Sequence, residues 1–112
     1  MISALRSQSK RVIINRRMAK PKPITNYRLT EHAKEQMARR QISQDDVANV
    51  LAAPEQIEAV QKGRNVYQSR IKAGKPPQRY LLRVLIDVDR EPAEVVTVYR
   101  TSKITKYWRV DT

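Results

Sequence analysis

The chain has no cysteine. That excludes disulfides, thiolate metal sites and a cysteine nucleophile. It has no phenylalanine, one tryptophan and five tyrosines, so its core must be built from Leu, Val, Ile, Met and Ala. Its single histidine, His32, leaves any zinc site short of the usual nitrogen and sulfur ligands. The two glycines, Gly63 and Gly74, both fall where turns are expected. The longest apolar run is four residues, Val50 to Ala53, too short for a membrane span or a signal-peptide core. No acidic residue precedes Glu31.

What is present is a strong positive charge on a chain sized for one domain. Among 112 residues there are 23 Lys and Arg against 11 Asp and Glu, a net charge of +12. Such an excess points to a polyanionic partner, most often nucleic acid. Arg6, Lys10, Arg11, Arg16, Arg17, Lys20, Lys22 and Arg28 all precede the first acid, so the sequence divides into a basic arm, 1–26, and a milder body, 27–112. Arg16 and Arg17 are candidate phosphate contacts in an arm that binds nucleic acid. Two plainer readings stand beside that one. Met18 is an alternative start, or the arm is a targeting peptide, being Arg-rich and free of acids.

The body reads as two helices followed by a sheet. Thr30 can cap a helix over Glu31 to Arg40, with Glu31 in its first turn and Arg39 and Arg40 in its last, as the helix dipole favours. Ser43 to Asp46 resembles a capping box opening a second helix, whose Val47, Val50 and Leu51 form its apolar stripe. Pro54 ends it. Strands are then expected over Ile57–Val60, Val66–Ile71, Tyr80–Val88 and Val95–Thr101. Short turns between them imply an antiparallel meander. The expected fold is α+β, an N-terminal helical hairpin packed on a four-stranded antiparallel sheet.

Alternation divides the third strand into two faces. Tyr80, Leu82, Val84, Ile86 and Val88 face the helices, with Val96 and Val98 as the buried pair of the fourth strand. The opposite, open face then carries Leu81, Arg83, Leu85 and Asp87 beside Val95, Thr97, Tyr99 and Thr101. An Arg fork with hydroxyls on a rigid sheet suits phosphate. A merely solvated polar face reads as well from spacing alone. The tail adds Arg100, Lys103, Lys106, Tyr107, Trp108 and Arg109, basic and aromatic residues interleaved as in a stacking platform for unpaired bases. In the plainer reading Trp108 seals the end of the core. His32, the lone imidazole, could serve as a general acid or base, or simply be a helix-turn surface histidine. Asp87, Asp89 and Glu94 gather near a turn, but acidic turn residues are commoner than metal sites, and neither metal nor cofactor is expected.

Tyr27-Arg28-Leu29-Thr30-Glu31-His32-Ala33, Met37-Ala38-Arg39-Arg40-Gln41-Ile42-Ser43, Asp46-Val47, Val50-Leu51 and Pro54 resemble a bacterial family of unknown function. Its members read roughly T-x-H-A, R-M-x-x-R-x-I-S, V, L, P. Tyr80 to Val84, Val96 to Tyr99, Ser102-Lys103 and Tyr107-Trp108 extend the likeness over residues 27–108. Gln36 stands where the family often has Arg. The family looks like part of the BECR superfamily, with RelE-type toxins, EndoU-like nucleases and barnase. The resemblance implies a RelE/BECR-like fold and a metal-independent ribonuclease of toxin type, cytoplasmic, acting on RNA such as ribosome-associated mRNA and masked by an acidic antitoxin. The matching positions are His32, Arg40, Arg83, Thr97, Tyr99, Lys103 and Tyr107. On that model His32 is general acid or base, Arg83 stabilises the phosphorane, and Thr97 and Tyr99 hold phosphate or share a proton. The alternatives are a non-catalytic nucleic-acid-binding module and a protein-interaction domain.

Overall fold

The computed structural model describes residues 22–110. Arg16, Arg17 and most of the basic arm lie outside the described residues.

Strand β1 (Tyr27–Leu29) leads directly into helix α1 (Glu31–Arg40). The turn between them is fixed by Thr30, whose side chain accepts from the Ala33 amide at 3.1 Å. Gln41, with φ of 56°, closes α1 in the left-handed region, and the Ile42 amide bonds back to the Met37 carbonyl at 2.8 Å. Ser43 then caps helix α2 (Gln44–Ala52), accepting from the Asp46 amide at 3.0 Å. Four longer strands follow: β2 (Gln56–Gln61), β3 (Arg64–Ala73), β4 (Gln78–Asp87) and β5 (Ala93–Thr101). A one-turn helix α3 (Ile104–Tyr107) begins the C-terminal segment.

The fold is α+β, with a mixed sheet of five strands in the order β1-β5-β4-β3-β2. The expected meander β2 to β5 is antiparallel throughout, and β1 adds a fifth, parallel strand beside Ala93–Val95. Three residues are too few to show a period, which is why β1 was not expected. The expected helical hairpin is also corrected: the helices make their main contacts with the sheet and not with each other, α1 against β5 and α2 against β3 and β4.

Ala33, Met37, Ile42, Val47, Val50 and Leu51 from the helical layer meet Tyr67, Leu82, Val84, Ile86, Val95 and Val98 from the sheet. The expected Leu82, Val84 and Ile86 ridge lies at the centre. Tyr80 is only half-buried, and Val88, beyond the strand end, is 40% exposed. The buried pair on β5 is Val95 and Val98, where Val96 and Val98 were expected. A β-bulge explains the difference: Leu85 pairs with Thr97 but Ile86 pairs with Val95, so Val96 is an extra residue. It reverses the alternation on one side and returns Val95 to the helix face. The end of the arm is fastened to this body. The Ile24 amide donates to the Leu51 carbonyl at 2.8 Å, and the Tyr67 hydroxyl to the Lys22 carbonyl at 2.9 Å.

The second face of the sheet is not open, as the alternation had suggested. Leu81 is fully buried, as Leu82 is, and Val66 is 1% exposed. The C-terminal segment crosses this face and covers it. Two-faced burial also accounts for the nearly continuous apolar run in β4.

Candidate functional site

Register brings the polar residues of the second face into rows. Gln56, Gln68, Arg83 and Tyr99 lie side by side across β2, β3, β4 and β5. The next row holds Glu58, Val66, Leu85 and Thr97. Arg83 is the hub. Its side chain is 9% exposed, and every edge of the guanidinium has a partner. Its Nε donates to Gln68 Oε1 at 2.9 Å, and one terminal nitrogen donates to the Tyr99 hydroxyl at 2.6 Å. The other terminal nitrogen faces Glu58 at 3.8 Å. A carboxylate on β2 and a phenol on β5 therefore converge on one guanidinium from opposite sides.

The cover is built from the same chemistry. The Tyr107 ring lies 4.3 Å from the Arg83 guanidinium carbon and edge-on to Tyr99. Gln68, fully buried, donates to both Gln56 Oε1 and the Tyr107 carbonyl. Gln56 brackets the backbone of Arg109, donating to its carbonyl at 2.6 Å and accepting from its amide at 3.0 Å. The Arg109 side chain closes on Glu58 at 2.9 Å. Buried polar groups are thus paired throughout, as burial demands. Trp108 also seals, but it seals this second face: the Arg70 guanidinium sits 4.2 Å from its ring. Arg70 is forked on Glu55, and those hydrogen bonds hold the Glu55 carboxyl below its ordinary range. Asp87 is held low in the same way by the hydrogen bonds of Arg64.

The residues singled out from sequence separate into three groups. Arg83, Tyr99, Thr97 and Tyr107 share the second face. Arg40 and Arg100 belong to the helix side, where Arg100 reaches the Gln41 carbonyl at 3.4 Å and lies over the Tyr80 ring. Lys103 and Lys106 are exposed on the tail, and Lys106 stands 5.2 Å from the Tyr107 ring. His32 is exposed on the first turn of α1, next to the buried Ala33. Its helix packs on the opposite side of the sheet from Arg83, so the structure does not bring His32 to the Arg83–Tyr99 pair. Gln36 accepts from the Val98 amide at 2.9 Å and pins α1 to β5. Asp87 and Glu94 are taken up by Arg64 and Arg28. Sequence reasoning missed Glu58. The signal was a carboxylate alternating with apolar residues in an expected strand, and only the register shows that it faces Arg83.

Residues 29–100 match the model of the family described as Domain of unknown function (DUF4258). The chain belongs to the DUF4258 family. No curated protein and no solved structure matches it. The DUF4258 match runs from the last residue of β1 nearly to the end of β5 and takes in Glu58, Arg83, Thr97 and Tyr99. Tyr107, Trp108 and Arg109, which cover the site, follow the matched region of the DUF4258 domain.

Proposed function

We propose that this domain is a metal-independent endoribonuclease of toxin type, with its reactive centre at Glu58, Arg83 and Tyr99. The convergence of a carboxylate and a phenol on one guanidinium carries this reading. Internal transesterification of RNA needs a base for the 2′-hydroxyl, a cation for the phosphorane and an acid for the leaving 5′-oxygen. Glu58 takes the 2′-hydroxyl proton. Once the side chains of Tyr107 and Arg109 turn away from Arg83 and Glu58, the 2′-oxygen attacks the adjacent phosphorus, and Arg83 meets the charge that develops on the phosphoryl oxygens. The Tyr99 oxygen accepts from Arg83, so its own proton is free to pass to the departing 5′-oxygen. The products are a 2′,3′-cyclic phosphate and a 5′-hydroxyl, and solvent returns the proton from Glu58 to Tyr99. Thr97 lies on the same face to hold a phosphate oxygen. The superfamily kinship with RelE-type toxins and barnase belongs to this proposal as an analogy of fold. So do action in the cytoplasm and masking by an acidic antitoxin protein.

One observation favours a second reading. Arg83 already has a partner on every edge, which suits a structural hub in a non-catalytic RNA-binding module. End-group analysis of RNA incubated with the chain in EDTA decides between them. Cyclic phosphate ends that vanish in Glu58→Gln support catalysis. Salt-sensitive binding with no cut supports the module.

A further inference from the structure

A cleft opens beside the covered site, at the far end of the β3–β4 hairpin. Its volume is about 290 Å³, and it is lined by Arg70, Arg79, Ile104, Thr105, Trp108 and Val110. The size is at the low end for ligand sites, enough for one nucleotide. Its chemistry is divided. Trp108, Ile104 and Val110 form an apolar wall from the C-terminal segment, while the two arginines come from the sheet. Arg70 is occupied by Glu55 and by the ring of Trp108. Arg79 has neither a hydrogen bond nor an ion pair among the described residues, and Lys72 is paired with it in the strand register. Arg79, near the Glu55 carboxylate but not hydrogen-bonded among the described residues, and Lys72 stand beside a half-buried aromatic wall, and together they suit an anion that carries a flat ring.

Position supplies the second argument. Arg79, Leu81 and Arg83 alternate on β4, so Arg79 and Arg83 share the second face, about 13 Å apart along the strand. A polynucleotide strand with its scissile phosphate at Arg83 therefore passes the cleft within a few nucleotides.

We infer that this cleft is a nucleotide subsite for single-stranded RNA, taking a base against Trp108 and a neighbouring phosphate on Arg79. It rests on the reading of Arg83 as the reacting end of the same face, and it assigns to this cleft the holding of the strand beside the cut. The ligand class is a single strand, because a duplex keeps its bases stacked on one another.

Trp108 is the only tryptophan in the chain, so its fluorescence reports on this cleft alone. The probe is a 2′-O-methyl RNA hexanucleotide, which lacks the attacking hydroxyl and stays uncut. Titration into the full chain is expected to change Trp108 emission saturably. Arg79→Ala should flatten the log–log salt dependence of binding by about 0.7, one phosphate contact on a single strand. Lys62→Ala, with the same charge loss at the opposite end of β3, should flatten it less. Trp108→Leu, followed by anisotropy of a labelled hexanucleotide, should weaken binding by roughly 5- to 150-fold, the worth of one stacked base. Unchanged emission at saturating RNA overturns the subsite, and so do equal slopes for Arg79→Ala and Lys62→Ala. An equal response to a polyglutamate peptide overturns the nucleotide assignment. Because the probe cannot be cut, the readout is separate from catalysis. Quenching without cleavage of natural RNA removes the reactive centre and keeps the subsite, whereas cleavage without quenching removes the subsite.

Discussion

Leu81→Ala tests whether the C-terminal segment is part of the folded domain. Leu81 and Leu82 are neighbours on β4, face opposite sides of the sheet and are both fully buried. Truncation to alanine removes three carbons, about 2.4 kcal/mol of transfer free energy at about 0.8 per group. The residual cavity raises the expected cost to about 2–5 kcal/mol at either position. In a domain whose total stability is about 5–15 kcal/mol, each is a large fraction. Urea unfolding followed by circular dichroism measures both. The two substitutions should respond differently to removal of the cover. In a chain ended after Ser102, Leu81 is left facing water, so Leu81→Ala should cost much less than in the full chain, with a coupling of about 1–3 kcal/mol. Leu82→Ala should cost the same in both. A mild Leu81→Ala in the full chain, or no coupling to the truncation, would refute the claim that residues 103–110 cover this face.

Stability should fall in acid through two forked pairs. Glu55 and Asp87 are held below their ordinary values of 4.5 and 3.8 by Arg70 and Arg64, so their contribution is complete above about pH 5 and is lost as pH drops through the depressed values. Melting curves of Glu55→Gln plus Asp87→Asn should show a shallower loss below pH 5, and an unaltered acid slope would remove these pairs as its cause. Gly63 has φ of +79°, and a Cβ there would overlap the Asp89 carboxylate. Gly63→Ala should therefore destabilise by roughly 1–2 kcal/mol, and more than Gly74→Ala, whose Cβ would meet only the Pro76 carbonyl at 3.6 Å. Equal melting temperatures for the two variants would contradict this.

The helices and the central ridge were legible because their signals are local. Thr30 and Ser43 mark starts by their own side chains, and Leu82, Val84 and Ile86 mark a face by alternation. Where a distant residue decides, the sequence is silent. The bulge at Val96 moves Val95 to the core and depends on how β5 pairs with β4. Strand β1 exists only because β5 offers an edge. The cover over Arg83 comes from Tyr107, Trp108 and Arg109, whose order carries no period, so alternation alone left that face open to solvent. Alternation placed Arg83 and Tyr99 on one face, and the register makes them opposite neighbours. Glu58 was not, because it lies one row over and reaches Arg83 by the length of the arginine. His32 drew attention as the lone histidine, a feature of composition that says nothing about which side of the sheet its helix covers.

The most direct test is cleavage of a 5′-labelled single-stranded RNA in EDTA, alone and on translating ribosomes, by the wild type, Glu58→Gln and His32→Ala. The account predicts 2′,3′-cyclic phosphate ends from the wild type, a rate lower by about 10²–10⁴ in Glu58→Gln, and a nearly unchanged rate in His32→Ala. Wild-type cleavage by Glu58→Gln, or no cleavage by the wild type on either substrate while salt-sensitive binding persists, would contradict it.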